Sequence, residues 1–315
     1  MKISVVMATY NGEEYLLEQL KSLLNQSLKI DEVIIADDGS MDGTAVIINE
    51  FIRLNDLQDT WFFYQNSHNL GYADNFYYAL QRAGGDIIFF CDQDDIWLED
   101  KVHVMHDILN QKPQIQLLCS DYEPLVSSSN PPAVDKKTLR SMQNSGELEQ
   151  IKLNRKNIHL GRLGCVMCIR KSFRDKIKPY WFSGWAHDEY VWKLAQCEDG
   201  CYIYHKPLIL RRLHNHNVSM KKMHELDKRI RFLDLLLKSY KSAYRYVEQE
   251  KRSSRGLHMF QKNIKAAKLR VELLRDRKLL NSIRLVRYLG YYQYRRSILI
   301  EPCLLIKHSR IKGSG

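Results

Sequence analysis

Two hydrophobic periods alternate through the first hundred residues, and this alternation constrains the fold more than any other feature. ISVVMA (Ile3 to Ala8), EVIIAD (Glu32 to Asp37), WFFYQ (Trp61 to Gln65) and DIIFFC (Asp86 to Cys91) are short, β-branched or aromatic runs of strand type. Between the first two, Tyr15, Leu16, Leu20, Leu23 and Leu24 recur at three- and four-residue steps, the spacing of one helix face. Thr44 to Leu54, with Asp42 or Thr44 as its cap, and Gly71 to Ala83 also read as helices. Strands joined by helices require right-handed crossovers, so the expected fold is α/β, a mainly parallel sheet flanked by helices. Ligands of such sheets bind at the carboxyl ends of the strands. Ala8-Thr9-Tyr10, Asp37-Asp38 and the cluster Asp92 to Asp95 all fall at that edge.

The remainder is less regular. VSSSNPPA (Val126 to Ala133) reads as a turn-rich loop, GCVMCIR (Gly164 to Arg170) as a strand, and Ile96 to Leu109 as a helix. Trp181 to Ala195 begins as an aromatic loop and becomes helical, and CYIYHKPLILRRLH (Cys201 to His214) reads as two short strands. From about Lys221 the pattern is helical and basic. Residues 221–315 hold 25 Lys+Arg and 8 Asp+Glu, a balance of +17; residues 1–220 hold 23 and 29, a balance of −6. Two regions are therefore expected, a domain over 1–220 and a basic helical region over 221–315.

Several classes are disfavoured. With 44% hydrophobic and 27% charged residues the chain is globular in composition. No secretory leader is read at KISVVMATY, and no stretch reaches the roughly 18 apolar residues that span a bilayer. Seven scattered cysteines suit a reducing cytoplasm. Cys165 and Cys168 have zinc-knuckle spacing, with Cys197 and Cys201 further on, but their apolar surroundings favour buried thiols. Neither a P-loop nor a G-x-G-x-x-G dinucleotide motif occurs.

The acids of DQDD repel one another unless a cation joins them. A hard divalent ion, Mn²⁺ or Mg²⁺, prefers oxygen ligands and commonly completes its shell with substrate phosphates. The competing reading has Asp94 or Asp95 capping the next helix.

Four segments, VVMATYNGEEYL, VIIADDGSMDGT, HNLGYADNF and FFCDQDDIW, together resemble the nucleotide-sugar glycosyltransferases of family 2, which have the GT-A fold. The resemblance covers residues 1 to about 218, and the DQDDIW form is most like bacterial rhamnosyltransferases of cell-surface polysaccharide synthesis. It implies an inverting transfer from a UDP- or dTDP-sugar, with dTDP-rhamnose the favoured donor, to a lipid-linked saccharide. It also implies roles. Ala8, Thr9 and Tyr10 cradle base and ribose, and Asp38 accepts the N3–H of the base, with Asp37 holding the loop. Gly71 and Asn75 run under the sugar, although relatives often carry a basic residue where this chain has Asp74. Asp94 ligates the metal, Asp92 touches ribose or metal, and Asp95 does either or caps a helix. In FSGWAHDEYVWKLA (Phe182 to Ala195), Asp188 matches the catalytic base at a helix start, where the dipole favours its anion. Glu189 is its rival, and His187 orients the loop. In RRLHNHN (Arg211 to Asn217), His214 meets metal or diphosphate, Arg211 and Arg212 lie near phosphate, and His216 is a weaker candidate.

In the basic region, Leu226, Ile230, Leu233, Leu237, Tyr240, Tyr244 and Val247 share one helical face, suited to packing or to a homo-oligomer contact. Further on, aromatic and aliphatic residues interleave with arginines through SIRLVRYLGYYQYRRSILIEPCLLIKHSRIK, which suits a peripheral position at the inner face of the cell membrane. Nucleic acid is not an expected partner of such a domain. A nucleotidyltransferase would carry a glycine-rich basic loop after its first strand, where this chain has TYNGEEYL. A non-catalytic sugar- or lipid-binding protein on the same fold would bind donor analogues without turnover.

Overall fold

Four apolar strands, β1 (Ile3–Thr9), β2 (Glu32–Asp37), β3 (Trp61–Gln65) and β4 (Ile87–Cys91), lie side by side in the order β3-β2-β1-β4, all parallel. The computed structural model describes residues 1–127, 142–214, 225–252 and 254–312, with side chains as far as Leu305. Helices α1 (Leu16–Leu24), α2 (Thr44–Leu54) and α3 (Tyr72–Arg82) make the crossovers. Every residue of β4 and all but one of β1 are buried, as a sheet covered on both faces requires.

The sheet then changes direction. Beyond β4 come β8 (Met167–Arg170), β6 (Leu117–Val126), β9 (Cys201–Leu213) and β5 (Ile96–Trp97), with β7 (Leu148–Gln150) also on β9. β8 runs antiparallel to β4 and β6, and β9 runs parallel to β6. The expected mainly parallel α/β sheet is thus present, with an antiparallel seam at β8. Helices α4 (Lys101–Gln111), α5 (Lys171–Ile177) and α6 (His187–Cys197) complete this part.

Local readings differ in four places. Ile96 and Trp97 pair with Leu210 and Ile209 of β9, so the helix expected from Ile96 starts at Lys101, with Asp100 in the cap position rather than Asp94 or Asp95. The expected strand from Gly164 opens with a 3₁₀ turn, Gly164–Val166, before β8. The two strands expected over Cys201 to His214 are one, because β6 pairs with β9 along most of its length. Pro207 interrupts it without ending it; it sits opposite Asp121, where the β6–β9 register shifts and a missing N–H is tolerated. β6 itself was not anticipated, because Asp121 and Pro124 break its alternation. Residues 128–133 of the turn-rich loop lie outside the described residues.

The chain divides into two units, residues 1–152 with 160–217, and residues 153–159 with 218–315. In the second, α7 (Leu226–Gln249) and α8 (Ser254–Arg275) pair as long helices, followed by α9 (Asn281–Leu285), a 3₁₀ turn (Val286–Tyr291) and α10 (Ser297–Lys312). The expected stripe on α7 is partly right. Leu233, Tyr240 and Val247 are buried, but Leu236, Ala243 and Tyr246 complete the buried face, which rotates away from Leu226, Ile230, Leu237 and Tyr244. Glu301 is fully buried in this unit, between Arg229 (2.7 Å) and Arg270 (2.5 Å).

Candidate active site

The polar ends of β1, β2 and β4 form a continuous edge, tied together by side chains. At the end of β1, Tyr10 is held through its backbone. Its N–H donates to Gln93 Oε1 (2.8 Å), and its carbonyl accepts from Gln93 Nε2 (3.1 Å). This pairing closes the gap between the ends of β1 and β4 while the Tyr10 ring stays exposed. A side chain at Gly12 would collide with the same amide. Ala8 is half-buried, and Thr9 is buried with its hydroxyl donating to Asp37 Oδ1 (2.8 Å).

The two aspartates after β2 build the neighbouring loop. Asp37 is fully buried and also accepts from Ser40 N–H (2.9 Å) and Oγ (2.5 Å) and from Gln65 Nε2 (3.2 Å). Asp38 accepts from the backbone N–H groups of Leu70 (2.7 Å) and Gly71 (2.9 Å) and from Asn66 Nδ2 (3.1 Å). Gly71 has φ +85°, a conformation a side chain would strain. Asn75 is buried, donating to the Ala36 carbonyl (2.9 Å) and accepting from Asn66 (2.9 Å). Asp38, Gly71 and Asn75 therefore fix one loop beside the strand edge. An Asp38 carboxylate with these three donors still has lone pairs for another.

The DQDD carboxylates gather after β4. Asp94 Oδ2 lies 2.7 Å from His214 Nε2. Asp95 is buried; its Oδ1 accepts from Arg212 N–H (2.9 Å), and its Oδ2 has no hydrogen-bond partner among the described residues. Ligand atoms of Asp92, Asp95 and Cys165 lie within 4.8 Å of one another. Burial first, and then the charge of Asp94, hold the buried Asp95 above the usual carboxylate range, while the Arg212 N–H and the nearby Arg211 cation draw it partly back. An uncompensated buried carboxylate oxygen among like charges is what a divalent cation relieves. Burial pushes the Cys165 thiol well up, so it stays protonated, and the donor set that fits a hard ion is the oxygen set.

The two arginines after β9 differ. Arg211 is buried with its guanidinium 5.5 Å from the Tyr122 ring. Arg212 was expected near phosphate, but its guanidinium braces the site instead. It donates to the Asp94 carbonyl (2.9 Å) and Ser127 Oγ (2.9 Å), pairs with Glu18, and lies 4.5 Å over the Tyr15 ring. His214 rests against the same ring, with centroids 5.0 Å apart. His216 lies outside the described residues.

Opposite stands the start of α6. Asp188 Oδ1 accepts from Glu189 N–H (2.7 Å). The helix start was expected to favour the anion. Burial prevails over that backbone bond, raising the carboxyl to about 6. The rival Glu189 is engaged by the fully buried Lys193 (2.6 Å). His187 is buried between aromatic rings, stacked on Phe76 at 3.6 Å, with neither ring nitrogen hydrogen-bonded among the described residues. Burial lowers its pKa to about 3, so it packs at the start of α6 as a neutral ring.

Gln93 escaped notice in the sequence, and Asp74 was noted there only as a departure from relatives. Gln93 is the amide clamp on Tyr10. Asp74, where relatives often carry a base, faces the loop before α6, accepting from Ser183 Oγ (2.7 Å) and Gly184 N–H (2.9 Å). It thus positions the segment leading to Asp188.

Comparison with known proteins places this site in context. The model of "Glycosyl transferase family 2" matches residues 4–176. An uncharacterized glycosyltransferase of Rickettsia typhi is 25% identical over 228 residues, 71% of this chain and 68% of that protein. Abequosyltransferase RfbV of Salmonella typhimurium is 34% identical over 119 residues, 37% of this chain and 35% of that protein, so there the likeness spans well under half of the relative. Among solved structures, S. aureus TarS 1–349 in complex with UDP-GlcNAc superposes with TM-score 0.58 at 16% identity, covering 99% of this chain and 92% of that one. Mannosyltransferase PcManGT of Pyrobaculum calidifontis, in complex with GDP-Man and Mn²⁺, gives 0.55 at 15%, covering 97% and 85%. At these identities the structures establish the fold.

Proposed function

The chain belongs to glycosyl transferase family 2, and from that premise we propose that it transfers a sugar, with inversion, from a nucleoside diphosphate donor to a glycan acceptor. The acceptor hydroxyl oxygen forms the new bond to the anomeric carbon as the bond to the diphosphate breaks. The hydroxyl proton passes to Asp188, and the nucleoside diphosphate leaves. The observation that carries the reading is the unpartnered, buried Asp95 Oδ2 beside Asp92 and Cys165, with its carboxylate-rich neighbours and the Asp94–His214 pair.

Asp92, Asp94, Asp95 and His214 would hold a divalent ion, Mn²⁺ or Mg²⁺, which when bound neutralises charge developing on the departing diphosphate. Tyr10, with its ring exposed and its backbone clamped by Gln93, offers a face for the base. Ala8 and Thr9 line that edge with it, and Asp38 is the base acceptor, one more donor completing its carboxylate shell. Gly71 and Asn75 shape the floor under the sugar. Arg211, buried beside the Tyr122 ring, is assigned to the phosphates, with Arg212 bracing the site.

A carboxyl near 6 is well suited to proton transfer around neutral pH. The engagement of Glu189 by Lys193 favours Asp188 over it as the base.

The donor is read as a uridine or thymidine diphosphate sugar, with dTDP-rhamnose favoured on the DQDDIW likeness. The acceptor is read as a lipid-linked saccharide of cell-surface polysaccharide synthesis, handled at the membrane surface. The abequosyltransferase relative, by its name, transfers abequose, which supports transfer of a sugar. Thermal unfolding against a panel of sugar nucleotides with Mn²⁺ tests the reading, because a ligand that binds only the folded chain raises the melting temperature. The expected result is a rise with dTDP- or UDP-sugars that needs Mn²⁺ and disappears in Asp94→Ala. A rise only with GDP-sugars, or one indifferent to both metal and Asp94, overturns the assignment.

A further inference from the structure

The second unit carries an apolar surface that its own fold leaves uncovered. Of the eight exposed large apolar side chains in its described residues, seven lie within residues 279–300. Leu279 is 62% exposed, Leu280 71%, Ile283 73%, Val286 57% and Leu299 73%. The short helical run through α9 and the following turn shows why this is unusual. Asn281, Leu285, Tyr288 and Tyr292, at steps of four, three and four, form its buried face. Leu279, Ile283 and Val286, at steps of four and three, form the opposite face. A helix that is apolar on both faces needs a second occupant.

Charge identifies the occupant. Residues 275–300 contain seven Lys+Arg and one acid, Asp276. Arg275 pairs with Asp234, and Lys278 lies near Glu272 and Asp276. Arg284 bonds to Asn281 and Arg296 lies over the Tyr294 ring, neither of them an acid. Arg287 and Arg295 are exposed beside them. Like-charged faces would oppose each other if a second copy covered this surface across a two-fold axis. A phospholipid surface with anionic headgroups satisfies both halves at once, taking the aliphatic side chains into the acyl boundary and the guanidinium groups at the phosphates. No described helix is long and apolar enough to cross a membrane, which fits a surface that lies on one.

We propose that residues 279–300 are an interfacial attachment surface, with Leu279, Leu280, Ile283, Val286 and Leu299 entering an anionic phospholipid leaflet and Arg284, Arg287, Arg295 and Arg296 meeting its phosphates. The proposal deepens the reading of a lipid-linked acceptor and rests on it for its purpose, while its test needs no turnover. Full-length protein is sedimented with vesicles of phosphatidylcholine alone, and of phosphatidylcholine with one-third phosphatidylglycerol. Binding is expected to the second kind only, and to weaken as salt screens the phosphates. Each guanidinium at such a surface is worth about fivefold in partition, so Arg284→Gln with Arg287→Gln should lower it by more than about tenfold. Ile283→Ser with Val286→Ser, both on the exposed face, should lower it comparably while the circular dichroism melt and the Mn²⁺-dependent donor shift stay as in the wild type.

Equal binding by both variants overturns the assignment of this surface while leaving membrane attachment intact. No binding of the wild type to anionic vesicles overturns attachment through this unit while leaving the glycosyltransferase reading intact. Conversion of a dimer to a monomer by Ile283→Ser with Val286→Ser, in sedimentation velocity, overturns the choice of lipid over a second copy.

Discussion

The two units use charge in opposite ways. In the first, the carboxylates that matter are few and close together. Asp92, Asp94 and Asp95 crowd the end of β4, and Asp188 is held near 6 by burial. In the second, cations are many and most point outward, and a single acid, Glu301, is buried between Arg229 and Arg270. Charge that is buried and unbalanced raises the free energy of the empty site and is relieved by a ligand. Charge that is exposed and spread contributes little to the fold and remains available for an external surface. Chemistry is therefore to be broken by single substitutions in the first unit, and attachment only by several in the second.

The sharpest break is Asp188→Asn. Removing the base while keeping its shape should lower transfer by about 10²- to 10⁴-fold, with the Mn²⁺-dependent thermal shift by donor preserved. Normal turnover would move the base elsewhere. Next is Glu301→Ala, where the comparison predicts the reverse pattern. Leaving Arg229 and Arg270 without their shared carboxylate should destabilise the second unit by about 3 kcal/mol, seen as an early step in urea unfolding by circular dichroism. Donor binding to the folded chain should persist. A single late transition, or loss of donor binding, would show that the two units do not separate energetically in this way.

Much of this was legible in the sequence because it is local. Strand runs such as VVMA and IIFF and the helical spacing between them fix β1 to β4 through backbone periodicity alone. The polar residues placed at their ends then share one edge by topology. What was not legible depends on partners far along the chain. Arg212 looks like a phosphate ligand until Glu18, Ser127 and the Asp94 carbonyl are brought to it by β9. Asp121 reads as a strand breaker until Arg162 (2.8 Å) and His205 (3.0 Å) balance it inside the sheet. Asp188 reads as a helix-start anion until burial is known, and burial reverses the sign. The family match ends at residue 176, before Asp188, Arg211 and His214, so those three stand on the geometry and on the motif likeness.

Acidity offers a further test within the first unit. A base must be unprotonated to accept the acceptor's proton. With Asp188 near 6, log(kcat/KM) should fall by one for each pH unit below about 6 and level off above it. A break near 4 instead would mean that Asp188 is as solvated as an ordinary aspartate.

A break near 6 is ordinarily credited to histidine, and His187 stands directly beside Asp188. Burial has exchanged their usual order, taking the imidazole down to about 3 and the carboxyl up to about 6. His187→Phe separates the two. The imidazole nitrogens have no hydrogen-bond partner among the described residues, and the ring stacks on Phe76, so an apolar ring should be tolerated at neutral pH within about 1 kcal/mol. The pH break in activity should stay near 6. Stability should respond with a definite sign. An imidazole held at about 3 binds its proton more readily when unfolded, so its contribution falls as pH drops from 6.5 towards 3. The Asp188 carboxyl, held at about 6, binds its proton more readily when folded, so its contribution rises as pH drops from 6 towards 3.8. These slopes oppose each other between about pH 4 and 6 in the wild type. In His187→Phe only the second remains, so the variant should gain on the wild type progressively as the solution is acidified through that window. Melting temperatures of the two proteins that stay parallel from pH 7 to pH 4 would mean that His187 takes up its proton in the folded chain, and the break near 6 would then no longer belong to Asp188 alone.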